Sequence, residues 1–95
     1  MEFEWDPAKD IANQRKHGLS FEKASELFSS GIDFLEIFDE SHSEKEERFI
    51  AIGPIRRGMI VVVHTEPQER TIRIISARPA TKSEIVRYRE YWERT

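Results

Sequence analysis

The stretch ERFIAIGPIRRGMIVVVHTEPQERTIRIISARP, residues 47–79, decides the fold. It reads as three strands, ERFIAIG, GMIVVVHTE and RTIRIISAR, joined by PIRR and PQE turns whose Pro, Gly and Arg punctuate runs of β-branched residues. Simple hairpins would pair Gly53 near Gly58 and Glu66 near Thr71, after which strand alternation sorts the side chains. One face then collects Ile50, Ile52, Met59, Val61, Val63, Ile72 and Ile74, with Arg48 and Arg78 at its margins. That face is expected to be the core covered by helices. The other collects Phe49, Ala51, Ile60, Val62, His64, Arg73, Ile75 and Ala77, with His64 and Arg73 as cross-strand neighbours on the open side. A one-residue slip would exchange the two faces, so everything functional depends on the register.

Working outward, WDPAKDIANQRKHG near the start has both helix ends marked. Asp6 suits the N-cap, Pro7 the first helical position and Gly18 the left-handed C-terminal position, and Ala8, Ile11 and Ala12 make a narrow apolar stripe. A second helix follows, capped by Ser20, with Phe21, Ala24, Leu27 and Phe28 at helical spacing before SSG stops it. DFLEIFD, residues 33–39, reads as a further strand and DESHSEKE, residues 39–46, as a polar loop. After Pro79, Thr81 and Glu84 form a capping-box pattern, and Ile85, Tyr88 and Trp92 recur along a last amphipathic helix. The order α-α-β-β-β-β-α, with no repeat and no linker, predicts one α+β domain over residues 1–95: a four-stranded antiparallel sheet with helices mainly on one face.

Composition narrows the function. The chain has no cysteine, so disulfides, thiolate metal sites and cysteine nucleophiles are excluded, and a reducing, cytoplasmic compartment fits. Its start is acidic and lacks a signal-like apolar run, and no window approaches the length of a membrane span. The net charge of −3 conceals an asymmetry. Residues 1–47 carry 5 basic and 13 acidic side chains, whereas residues 48–95 carry 10 basic and 5 acidic. A basic half can meet phosphate although the whole chain is acidic, because recognition follows the local field; a solvated surface of mixed sign is the alternative.

Among single residues, Arg73 on an open sheet face offers its planar fork to a phosphate, or else snorkels over Phe49 or pairs with Glu66. Lys9 opposes the dipole in the first turn of its helix, where a solvated lysine is the plain reading. His17 fits the end of the same helix, and His42 is expected to be solvated. Glu47 and Glu66 are possible bases or partners of arginines. Trp5 and Trp92 read as packing rather than as stacking platforms. No glycine-rich phosphate loop, HExxH or nucleophile elbow is present, and the three histidines are too scattered in the sequence to suggest a zinc site, so no metal or cofactor is expected.

Three segments, FEWDPAKDIANQRKHGLSFEKA, ERFIAIG and IRIISARPATKSE, resemble in this order the BrnT proteins, ribonuclease toxins of the BrnT/BrnA type II toxin-antitoxin systems. The resemblance runs from Phe3 to about Tyr88. It implies a RelE-like α+β fold and a metal-independent endoribonuclease that cleaves messenger RNA through the neighbouring 2′-hydroxyl. It also implies a BrnA-type antitoxin with a ribbon-helix-helix part, through which alone the pair would contact DNA.

Such a reaction needs a base, an acid and cations on the transition-state phosphorane. The residues expected to supply them are Arg48, Arg73 and Arg78 as a phosphate clamp, Lys9 as an added RNA contact, and His64 for proton transfer with Glu66 or Glu47 as orienter or alternative base. Two other readings remain open: a non-catalytic RNA- or ribosome-binding module, and an inactive homologue that serves only as the antitoxin's partner in repression.

Overall fold

The computed structural model describes residues 1–42 and 45–94; of the polar loop expected over 39–46, Ser43 and Glu44 lie outside the described residues. The elements are β1 (Glu2–Glu4), α1 (Pro7–His17), α2 (Phe21–Ala24), α3 (Glu26–Ser29), β2 (Leu35–Phe38), a 3-10 turn (Glu40–His42), β3 (Arg48–Ile55), β4 (Gly58–Gln68), β5 (Thr71–Pro79) and α4 (Lys82–Arg94). The α+β class and the meander stand, but the sheet has five strands in the order β1-β5-β4-β3-β2, and β1 runs parallel to β5. Three residues at a chain end carry too little period to announce a strand, and β1 exists because β5 offers it an edge.

Helix ends follow their local chemistry. Asp6 accepts a hydrogen bond from the Ala8 N–H at 2.9 Å, Pro7 opens α1, and Gly18 closes it at φ 68°. The apolar stripe expected on α1 does not face the core: Ile11 is 53% exposed, and the buried residue of the helix is Asn13. Its amide donates to the Leu19 carbonyl at 2.8 Å and the Ala77 carbonyl at 2.7 Å, and its oxygen accepts from the Ala77 N–H at 3.1 Å. Since β1 pairs only with residues 71–73, Asn13 takes the place of a neighbouring strand at Ala77 and satisfies that stretch of edge. The second expected helix is broken at Ser25 into α2 and α3.

The sheet carries helices on both sides, and this corrects the expected faces. Phe21, Ala24 and Leu27 pack on Ala51, Ile60, Val62 and Ala77, so the N-terminal helices cover the face expected to be open, and Ile72 and Ile74, expected on the opposite face, join this same cluster. Gly53 admits this close approach, because a Cβ there would lie 2.6 Å from Leu27 and 2.9 Å from Phe34. On the opposite face Ile52 and Val61 are also buried. There α4 packs against β3, tied down by Tyr88, whose hydroxyl donates to the Asp33 carbonyl at 3.0 Å.

The register explains a second correction. The hairpins pair Ile55 with Gly58 and Gln68 with Thr71, two residues further along than expected, which leaves the face assignment of β3 and β4 intact. In the β4–β5 ladder, however, Val63 pairs with Ser76 and His64 with Ile74, leaving Ile75 as an extra residue on β5, and a compensating irregularity follows between Thr65 and Gln68. Arg73 therefore pairs with Thr65, not with His64. The bulge turns Arg73 onto the face of Arg48 and Arg78 and away from the imidazole.

Candidate nucleic-acid interface

Cross-strand pairing aligns Glu4, Arg73, Thr65 and Arg48 in one row across β1, β5, β4 and β3. The guanidinium of Arg73 donates through Nε and Nη2 to one Glu4 oxygen at 3.0 and 2.9 Å, and Nη1 lies 3.6 Å from a Glu46 oxygen. The hydrogen bonds to Glu4, reinforced by the charges of Glu4 and Glu46, raise its pKa further and fix its orientation. Arg48 closes the row beside a cleft of about 480 Å³ that Ser41, His42, Lys45 and Glu46 also line. Thr65, between the two arginines, is buried.

Arg78 lies on the same face, opposite Val61 and about 13 Å along the strand from the Arg73 row at 3.3 Å per residue. It makes a two-pronged contact with Glu84, at 2.8 and 2.7 Å, and donates to the Pro79 carbonyl at 3.2 Å. The hydrogen bonds from Arg78 hold the Glu84 carboxyl down to about 2, aided by bonds from Thr81 at the helix start. Arg78 thus anchors α4.

The remaining expected residues are placed elsewhere. Lys9 is exposed in the first turn of α1. His17 is half-buried in the last turn of that helix, and Glu47 is exposed just before β3. His64 is 0% exposed on the helix-covered face, with the Phe28 ring edge-on at 4.9 Å and the Phe49 ring stacked at 5.7 Å. Burial pushes its pKa down to about 4, so the imidazole is neutral at pH 7. Glu36 and Glu66 approach it, and burial followed by the Glu66 charge raises the Glu36 pKa. The structure therefore gathers Arg48 and Arg73, with Arg78 on the same face, and separates them from His64 and Glu66.

Glu4, Glu46 and Glu36 are absent from the residues expected from sequence. Glu36 had a signal, as the polar residue between Leu35 and Ile37; Glu4 and Glu46 had none, because their partner Arg73 lies far away in the chain.

Residues 5–84 match the family model described as "Ribonuclease toxin, BrnT, of type II toxin-antitoxin system". Among solved structures, the chain is similar to the Brucella abortus ribonuclease toxin BrnT at 27% identity and a TM-score of 0.64, covering 86% of this chain and 99% of that one. No curated protein matches it by sequence. Among the described residues no helix is long and apolar enough to cross a membrane. With the match spanning most of its length, the chain belongs to the BrnT family of ribonuclease toxins of type II toxin-antitoxin systems.

Proposed function

We propose that this chain is a cytoplasmic, RelE-like toxin that cleaves messenger RNA by attack of the 2′-hydroxyl on the adjacent phosphodiester, without a metal, and so inhibits translation. The observation that carries this reading is the Arg73–Thr65–Arg48 row beside an open polar cleft. Two guanidinium groups flanking one strand can hold the non-bridging oxygens of a phosphate from both sides, and they stay charged as negative charge develops on the phosphorane.

Glu46, which pairs with Arg73 and lines the cleft, takes the 2′-hydroxyl proton. The O2′–P bond forms, the P–O5′ bond breaks, and Lys45 on the cleft wall protonates the leaving 5′-oxygen. The products are a 2′,3′-cyclic phosphate and a 5′-hydroxyl. Proton transfer is assigned here instead of to His64 and Glu66, because the buried imidazole is out of reach of a phosphate held by the arginine row. Arg78 acts indirectly by positioning α4, and Lys9 adds a distal contact to the RNA backbone.

Family membership implies an antitoxin partner. We infer that it is of BrnA type, with a ribbon-helix-helix part that supplies all DNA contact and lets the complex repress its operon. The test is incubation of the purified chain with a defined RNA in chelator, followed by analysis of the new ends. Cyclic 2′,3′-phosphate ends support the reading. Binding that weakens steeply with salt but leaves the RNA intact would make the chain a binding module instead.

A further inference from the structure

One cluster takes no part in the proposed cleavage. The side chain of Glu36 reaches across β3 to bring Oε1 within 3.4 Å of His64 Nε2, and the ligand-capable atoms of Glu36, His64 and Glu66 all lie within 4.8 Å of one another. The imidazole is wholly buried between two phenylalanine rings, and neither of its nitrogens has a hydrogen-bond partner among the described residues. A buried polar ring left unbonded is costly unless something else satisfies it.

The Nε2–Oε1 separation is informative. It is long for an N–H···O bond, whose usual length is about 2.9–3.0 Å. It matches the spacing of about 3.3–3.4 Å between two donors that each sit about 2.0–2.1 Å from a tetrahedral ion. We propose that Glu36, His64 and Glu66 form a binding site for a divalent transition-metal ion, with Zn²⁺ the best fit.

One imidazole nitrogen with two carboxylate oxygens is a borderline donor set, suited to Zn²⁺ ahead of Mg²⁺ or Ca²⁺. At pH 7 the ring is in its neutral, metal-binding form, and an ion would relieve the repulsion between the two carboxylates. Both carboxylates are exposed, so an ion can enter from solvent and Glu66 is free to close the remaining distance. Nδ1 stays unbonded with or without the ion and does not decide between the states. The site lies on the sheet face opposite the arginine row, so an ion there would brace β2 against β4 without touching a bound phosphate.

The experiment uses the full chain, stripped with chelator and dialysed, then titrated with ZnCl₂ by calorimetry while Tm is followed. Co²⁺ is added in parallel as a spectroscopic probe of coordination. The expected result is saturation at one ion per chain, a Tm that rises with free Zn²⁺, and visible Co²⁺ bands of a low-coordinate site. Glu36→Gln and Glu66→Gln should each weaken binding at least about tenfold, more than or equal to the cost of losing an outer-shell contact. His42→Ala, which removes the exposed histidine beside Asp39, should leave binding unchanged. Unaltered binding in both glutamine variants, loss of binding on His42→Ala, or no Zn²⁺-dependent change in Tm would overturn the assignment.

Discussion

Arg73 and Arg78 lie on the same face of β5 although they are five positions apart, because Ile75 is left unpaired between them. In a regular strand they would point to opposite faces. The bulge joins Arg73 to Arg48 across Thr65 and leaves Arg78 free to hold α4 through Glu84. The two arginines of the strand therefore divide into one that joins the row ending at the cleft and one that fastens a helix.

This division predicts different outcomes for the two alanine variants. Arg78→Ala should lower stability by about 1–3 kcal/mol, since it breaks a two-pronged charged contact that is only partly screened. Denaturation curves followed by tryptophan fluorescence should register it, because Trp92 is on α4. Its cleavage at a temperature where the variant is folded should exceed that of Arg73→Ala.

Asn13 ties α1 to the edge of β5 through both ends of its amide. Asn13→Ala removes three hydrogen bonds and leaves the Ala77 N–H and carbonyl unsatisfied in a buried place, which should cost about 2–4 kcal/mol. Urea unfolding measures it; a loss below about 0.5 kcal/mol would mean that water takes over the Ala77 edge.

Gly53 is constrained by packing and not by its backbone angles. Gly53→Ala drives a methyl group into Leu27 and the Phe34 backbone neighbourhood and should cost about 1–3 kcal/mol by overpacking. The paired variant Gly53→Ala with Leu27→Ala should recover part of that loss relative to the sum of the single changes, which a double-mutant cycle reads directly.

His64 makes stability depend on pH. Its folded pKa, about 4, lies below the unfolded value near 6.5, so between these limits the unfolded chain binds the extra proton. Stability is full above about pH 6.5 and falls toward pH 4, by up to about 3 kcal/mol. The raised pKa of Glu36 acts in the opposite direction across the carboxylate range. The difference between wild type and His64→Phe, measured by urea unfolding at several pH values in chelator, isolates the histidine. Parallel pH profiles for the two proteins would contradict the assignment.

Much of the fold was legible because it rests on local chemistry. The caps at Asp6, Gly18 and Ser20, the β3–β4–β5 meander and the capping box at Thr81 and Glu84 are each written within a few residues. The features that escaped depend on distant partners. β1 is defined by the edge of β5, Asn13 by the unpaired stretch at Ala77, and the bulge by two irregularities that compensate each other along the β4–β5 ladder. The site shows the same split. Arg48, Arg73 and Arg78 stand out as cations in an apolar meander, whereas Glu4 and Glu46 become visible only once the sheet is assembled. Alternation places His64 on one face of β4 but cannot tell which face the helices cover.

In the proposed mechanism the Arg48–Arg73 row holds the phosphate that is cleaved. Its most direct test is the single-turnover cleavage rate of a defined RNA in chelator for wild type, Arg48→Ala and Arg73→Ala, with folding of each variant verified by circular dichroism. Each substitution should slow cleavage by about 10²–10³-fold, the size expected for one preorganised contact to the transition state. Rates within about twofold of wild type for both folded variants would contradict the account.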